Sequence, residues 1–540
     1  MDRATLRSLR QELGALALLL IFPAALLLRA GGRALGAYSF DQAGHLWAMW
    51  HATVEPLTTT MLLNHPAGLD LMPTLGGWAD IVLGALLSTT VPLEVSYNLV
   101  IGLYLWLAGA GAYALSRVLG AGPAAAVVAG FMLQTEPLLL RHAGHGQVEQ
   151  VGLGVLALAV AGAIYCWRTP SWPAAVATGL AGAAVVFISW EYAALLAGMM
   201  LALTPGIVWT GRDRKAWGRW GLAAGTTLLI AGPWALSFLL RTSGVRTGDD
   251  DGFNLINAAA HSLPLLDWFR YRPHLGPLLL SPLLLVPWTA ERRDRRVWLA
   301  AWVGLMAAAA LAAGPDPRLL GPPPQLPQPQ SWAPFTIAQS LPVLGWFHWP
   351  DRIMSVWPLA AAPATALLLH RIAGRQRLLA VALGLGVIVL CGQEAIRSSP
   401  KGRYQLPGDP ALVQLATLSG SGSVLDLPVG QAPQSVLRYQ LAQVRHGRPL
   451  PLHSFLTHLH YGEPGVLRSR VVSWSQAVNG PPPSEADFRA LVEHGVGFVT
   501  LHRPWLRGPQ YGRARSVLEE HLGEPVLESA QWACWRLSPP

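Results

Sequence analysis

The chain has 540 residues, a formal charge of +9 and 52% hydrophobic residues. Only 13% are charged, against about 25% in soluble globular proteins, and oily runs recur up to residue 391, each near the length that crosses a bilayer core of roughly 30 Å. This excludes an ordinary soluble enzyme. The excess charge does not call for nucleic acid either, because the basic residues cluster in short loops (Arg212, Arg214, Lys215 and Arg219; Arg292, Arg293, Arg295 and Arg296; Arg371, Arg375 and Arg377), as the positive-inside tendency requires.

Arg3, Arg7 and Arg10 precede the first oily run, and AGGRALGAY is a weak cleavage signal. A retained first span over 13–28 is expected, with a cytoplasmic N-terminus. The loop 29–96 is then outside. It contains YSFDQAGHLWAMW, with Asp41 and His45 four residues apart beside Trp47 and Trp50. If that segment is helical, the acid and the histidine share a face; they either anchor a loop or do chemistry. The tryptophans read as interfacial belt residues. Residues 81–91 are oily but short, which predicts a re-entrant or interface-lying helix.

Spans two to seven are expected over 97–115, 123–140, 151–167, 174–188, 193–208 and 222–240. Span eight is placed over 276–286, and spans nine to eleven over 297–313, 354–369 and 378–389. This threading puts the arginine clusters inside and most of the odd polar clusters outside. The expected fold class is a polytopic α-helical membrane protein of about eleven spans over residues 1–395, followed by a soluble extracytoplasmic α/β domain over 396–540. In that tail SVLDLPVG reads as strand and turn, and QSVLRYQLAQV as helix. GVGFVTLH reads as a buried strand, ARSVLEEHLG as a helix closed by glycine, and PVLESAQWACWRL as a last strand.

The outer face collects ionisable residues. TEPLLLRHAGHGQVEQ supplies Glu136, Arg141, His142, His145 and Glu149, and SWEY supplies Trp190 and Glu191. Ionisable groups at membrane depth are costly and usually face a cavity. A carboxylate there suits a general base. With a histidine or a second carboxylate it suits a divalent cation beside a phosphate. Arg141 offers a planar fork to phosphate. Structural readings stand beside these: Glu136 as a helix cap before Pro137, and His142 and His145 as loop histidines. GDDDG at 248–252 lacks a calcium-loop ligand pattern and reads as a solvated turn. His453, His458 and His460 lack a zinc spacing. Cys391 and Cys534 are able to pair only if both lie outside the cytoplasm.

A basic N-terminus, one span and a large outer loop opening on an acid resemble the GT-C superfamily of membrane glycosyltransferases. The closer resemblance is to its uncharacterised bacterial members with a C-terminal extracytoplasmic domain. It rests on Asp41, His45, Trp47 and Trp50, on NHPAG at 64–68, YNL at 97–99 and GH at 144–145, and on VLDLPVG, RYQLAQVRHGRPL and HGVGFVTLH in the tail. Phe40 stands where the superfamily usually has glycine. The resemblance implies a glycosyltransferase of the bacterial inner membrane. It would take a sugar from a polyprenyl-phosphate donor and pass it to an extracytoplasmic hydroxyl of a glycan, lipid or protein. It implies Asp41 as the catalytic acid, His45 and Glu136 as assistants, and Arg141, His142, His145, Glu149, Trp190 and Glu191 in substrate binding. Some members use a divalent cation and others do not, so a metal stays open; if one is used, it would be Mg or Mn on Asp41 and Glu136. Two other classes stay open. A flippase or transporter of lipid-linked glycan would need paired polar breaks in two similar halves. A non-catalytic envelope assembly protein would bind through its tail.

Overall fold

The computed structural model describes residues 3–37, 39–72, 77–169, 171–210, 214–242, 262, 292–317, 330–339, 350–429, 433–453, 461–462, 464–477 and 481–537. The span expected over 276–286, the GDDDG turn, His458 and His460 lie outside the described residues. Contacts divide the chain into two units. A helix-rich unit comprises Met1–Gly31, Gly76–Asp80 and Val100–Pro400. A sheet-bearing unit comprises Gly32–Leu75, Ile81–Leu99 and Lys401–Pro540.

The helices in chain order begin with α1 (Arg3–Ala30), α2 (Phe40–His51), α3 (Ala79–Ser88), α4 (Leu93–Val118), α5 (Pro123–Gln134) and α6 (Pro137–His145). They continue with α7 (Val148–Val151), α8 (Leu153–Arg168), α9 (Trp172–Ile188), α10 (Trp190–Thr210), α11 (Arg214–Thr242), α12 (Arg292–Ala312) and α13 (Pro334–Gln339). A 3₁₀ turn at Pro350–Ser355 leads into α14 (Val356–Ala373), which is followed by α15 (Arg377–Ser398).

Among the described residues six helices are long and apolar enough to cross a membrane: Leu9–Ala30, Leu93–Val118, Val148–Arg168, Lys215–Arg241, Pro350–Ala373 and Arg377–Ser398. The pair α5 and α6, bent by 40°, makes a seventh if it is one span. That is fewer than the expected eleven. Trp172–Ile188, where span five was expected, is apolar but short, as is Ala79–Ser88, while α10 and α12, where spans six and nine were expected, are apolar over Trp190–Ala202 and Trp302–Ala312. The chain is a membrane protein. Leu228, Leu229, Leu236 and Leu240 of α11, and Leu378, Val381, Leu385 and Val389 of α15, are exposed. Lipid accommodates such a surface at no cost, whereas water does not.

Small residues let the helix-rich unit pack. A Cβ on Gly154 of α8 would meet the Leu107 carbonyl carbon of α4 at 2.1 Å, and one on Gly111 would meet the Gly154 oxygen at 2.3 Å. The two backbones touch, so only glycine fits at this crossing.

In the sheet-bearing unit, short antiparallel pairs join β1 (Ala34–Leu35) to β4 (Arg403–Tyr404), β2 (Thr59–Thr60) to β3 (Leu69–Asp70), and β6 (Leu452–His453) to β7 (Tyr461–Gly462). The main sheet has the order β5-β8-β10-β9, from β5 (Ser423–Leu427), β8 (Val496–His502), β9 (Leu527–Glu528) and β10 (Trp532–Arg536). β5 runs parallel to β8, and the remaining pairs are antiparallel. Alternation separates its faces. Leu425, Leu427, Val499, Leu501, Ala533 and Trp535 enter one apolar core with Phe488, Leu491, Ala514 and Leu518. Asp426, Thr500, His502 and Cys534 lie on the other face, together with Val424, Phe498 and Trp532. The remaining helices are α16 (Pro410–Thr417), α17 (Pro433–His446), α18 (Pro464–Leu467), α19 (Arg470–Ala477), α20 (Glu485–Glu493) and α21 (Gly508–Leu522).

All three cysteines are free and buried, so Cys391 and Cys534 do not pair. Burial pushes the Cys534 thiol up to about 12, which keeps it chemically quiet.

Candidate functional site

Asp41 and His45 lie on α2, whose N-terminus is capped by Ser39: its hydroxyl oxygen accepts from the Gln42 amide at 3.2 Å. The helix is continuous through both residues, so they stand one turn apart on a common face, each half-buried. Asp41 occupies the first turn, where the helix dipole favours a negative charge. Trp47 is not an interfacial belt residue. It is fully buried, stacks on His51 at 4.8 Å, and donates its indole N–H to Gln443 Oε1 of α17 at 2.7 Å. Gln443 in turn donates to the carbonyls of Leu62 and Arg448 at 2.7 and 2.8 Å. The NHPAG stretch makes a tight turn: Asn64 donates its side-chain amide to the Gly68 carbonyl, and Gly68 adopts φ +76°. A side chain at Gly68 would run into the Thr60 carbonyl at 2.8 Å.

The helix-rich unit holds the remaining candidates. Glu136 caps α6, with Oε2 accepting from the amides of Leu138 and Leu139 at 2.6 and 3.1 Å. Arg141 and His145 of α6 are exposed, and His142 is buried. His142 Nδ1 meets Gln147 Oε1 at 2.5 Å. Glu149 and Trp190 are half-buried.

Glu191 opens α10 and is 3% exposed. Both its oxygens accept from Arg352 Nη1, at 2.9 and 3.0 Å, and Oε2 also accepts from Gln150 at 2.6 Å. The Tyr192 hydroxyl donates to the Gln150 carbonyl. Glu149 lies within electrostatic reach of Tyr104, His142, Glu191, Tyr192 and Arg352. Asp80 reaches Tyr104 as well. The chain before Asp80 is pressed onto the same place: a Cβ at Gly77 would meet the Ile188 carbonyl at 2.0 Å and Glu149 Cβ at 3.3 Å, and the Trp78 amide donates to the Phe187 carbonyl at 2.8 Å. Thus His142, Glu149 and Glu191 gather into one buried polar cluster, whereas Arg141 and His145 face outward.

Arg352 is the residue that sequence reading passed over. A signal for it existed: in the threading from charge it is an isolated arginine at the outer end of an apolar span, beside Asp351, where the basic clusters are not found. Among the described residues no group of three or more His, Cys, Asp or Glu side chains is disposed to hold a metal ion.

Comparison with solved structures decides the fold. The chain matches the arabinofuranosyltransferase AftD from mycobacteria with a TM-score of 0.61 at 16% identity, over 97% of this chain and 41% of that one. It matches ArnT from Cupriavidus metallidurans, bound to undecaprenyl phosphate, with a TM-score of 0.52 at 14% identity, over 97% of this chain and 98% of that one. The fold is GT-C-like. An oligosaccharyltransferase from Archaeoglobus fulgidus tethered to an acceptor peptide also matches, with a TM-score of 0.51 at 12% identity, over 90% of this chain and 69% of that one. No protein-family model and no curated protein matches the chain. This GT-C-like chain spans well under half of the mycobacterial protein and nearly the whole of ArnT.

Proposed function

We propose that the chain is a membrane glycosyltransferase that moves a sugar from a polyprenyl-phosphate-linked donor to the hydroxyl of a glycan, lipid or protein acceptor. The observation that carries this reading is the end-to-end likeness to ArnT, whose solved structure holds undecaprenyl phosphate. Asp41, in the first turn of α2, is the general base. Its carboxylate takes the proton of the acceptor hydroxyl while that oxygen bonds to the anomeric carbon. The bond from that carbon to the phosphate oxygen breaks, and its electron pair leaves with the lipid phosphate. His45, one turn on, orients the acceptor.

Glu136 is assigned to the helix cap rather than to the reaction, since one of its oxygens holds two backbone amides. No step here is routed through a metal. The proposal places the protein in the bacterial inner membrane with its N-terminus cytoplasmic, and with α2 and a soluble C-terminal α/β domain on the outer side.

The test is release of farnesyl phosphate from synthetic farnesyl-phosphate-linked pentoses and hexoses by the chain in nanodiscs, with bacterial envelope extract as acceptor. Asp41→Asn should lower turnover by roughly 10²- to 10⁴-fold with the thermal midpoint unchanged. Equal turnover by wild type and variant overturns the assignment of Asp41.

A further inference from the structure

The cluster around Glu191 and Arg352 leaves several buried polar atoms unused. His142 is 5% exposed, and its Nε2 has no hydrogen-bond partner among the described residues. Gln150 Oε1, the Tyr104 hydroxyl and the Trp78 indole N–H are in the same condition, on residues that are 1%, 3% and 5% exposed. Buried polar atoms are almost always paired, so several orphans around one locus call for a polar occupant. Their chemistry is mixed. With Nδ1–H given to Gln147, the neutral His142 ring presents Nε2 as an acceptor. Gln150 Oε1 is a second acceptor, Trp78 is a donor, and Tyr104 serves as either.

The charges decide which kind of occupant this is. Arg352 is already held by both oxygens of Glu191. Glu149, Asp351 and Asp80 add negative charge to the locus, and Arg141, the other guanidinium in reach of His142, is exposed. Four carboxylates therefore stand against two guanidiniums, and a phosphate would be repelled. A neutral ring bearing several hydroxyls is not: each hydroxyl both donates and accepts, which suits this mixed set of donors and acceptors.

We infer that His142, Gln150, Tyr104 and Trp78 form the subsite that recognises the sugar hydroxyls of the donor, and that the lipid phosphate is bound elsewhere. This rests on the transferase reading and narrows the expected part of His142 in substrate binding to the sugar. Each hydrogen bond lost should weaken binding by about 3- to 10-fold.

The experiment is calorimetric titration of the full chain in nanodiscs with two probes, farnesyl phosphate and a farnesyl-phosphate-linked hexose or pentose. The sugar-bearing probe should bind at least about 10-fold more tightly, the gain of one or two such bonds. His142→Phe and Tyr104→Phe should each remove most of that gain and leave farnesyl phosphate binding unchanged. His142→Gln, which keeps an acceptor, should retain part of it. If both probes weaken together in the Phe variants, the residues serve phosphate binding or the fold, and the assignment falls. If farnesyl phosphate binds and the sugar adds nothing for any pentose or hexose tried, the orphan atoms hold water, and only this inference is lost. If wild type binds neither probe, the transferase reading is lost with it.

Discussion

Glu191 in the helix-rich unit and Asp426 in the sheet-bearing unit are both buried carboxylates, at 3% and 7% exposure, and they are satisfied in different ways. Glu191 meets a full guanidinium charge on Arg352 and an amide on Gln150. Asp426 accepts from the Thr500 hydroxyl and meets His502 Nε2 at 2.7 Å, all on neighbouring strands of one sheet. In the first case two ions removed from water are held by each other, an arrangement that is costly to break on one side only. In the second, a hydroxyl and an imidazole share the acid.

The largest effect should come from unbalancing the ion pair. Glu191→Leu or Arg352→Met alone leaves one buried charge and should cost about 3–5 kcal/mol. The double variant Glu191→Leu/Arg352→Met should recover most of it. Thermal midpoints in nanodiscs for the two singles and the double check this, and additive losses would show that the pair is not a unit.

The sheet-bearing unit should instead respond to pH. His446 of α17 is buried, and its Nδ1 accepts from the Arg448 amide. Burial holds its imidazole down to about 4; Asp426 opposes that shift, and Arg448 and His502 reinforce it. The folded value is below the unfolded one, so the unfolded chain binds the proton first. The stability is complete above about pH 6.5 and is lost as pH falls towards 4. The full loss is about 3 kcal/mol at about 1.4 kcal/mol per unit. Hydrogen exchange of the β5 and β8 amides, followed from pH 7 to 4.5, should show opening grow easier, and His446→Gln should flatten the slope. An unchanged slope would show that His446 does not carry the pH dependence.

The smallest effect concerns the α2 helix. Trp47→Phe should cost about 1 kcal/mol; Gln443→Leu, which also frees the Leu62 and Arg448 carbonyls, should cost somewhat more, and the two together less than the sum, because they share the Trp47–Gln443 bond. Exchange of the α2 amides reads this directly. If the double variant loses the full sum, the bond contributes nothing beyond packing.

Much of the architecture was legible in the chain. Alternation in SVLDL and in GVGFVTLH, and the 3.6-residue period of QSVLRYQLAQV, correspond to β5, β8 and α17, because burial of one face writes a period into the residues. The four-residue spacing placed Asp41 and His45 on one helix face, as the continuous α2 shows, and the cost of charge near a membrane singled out Glu149 and Glu191. Span count was less legible, since short helices such as Trp172–Ile188 fall below the length that lets composition decide.

Composition, charge placement and periodicity by themselves determined that this is a helical membrane protein with a strand-bearing tail, because those properties are sums over neighbouring residues. Tertiary structure alone decided that Glu191 answers to Arg352, 161 residues later, and that Trp47 is core through Gln443, 396 residues away. Ion pairs and hydrogen bonds depend on which helices and strands become neighbours in space, and no local period records that.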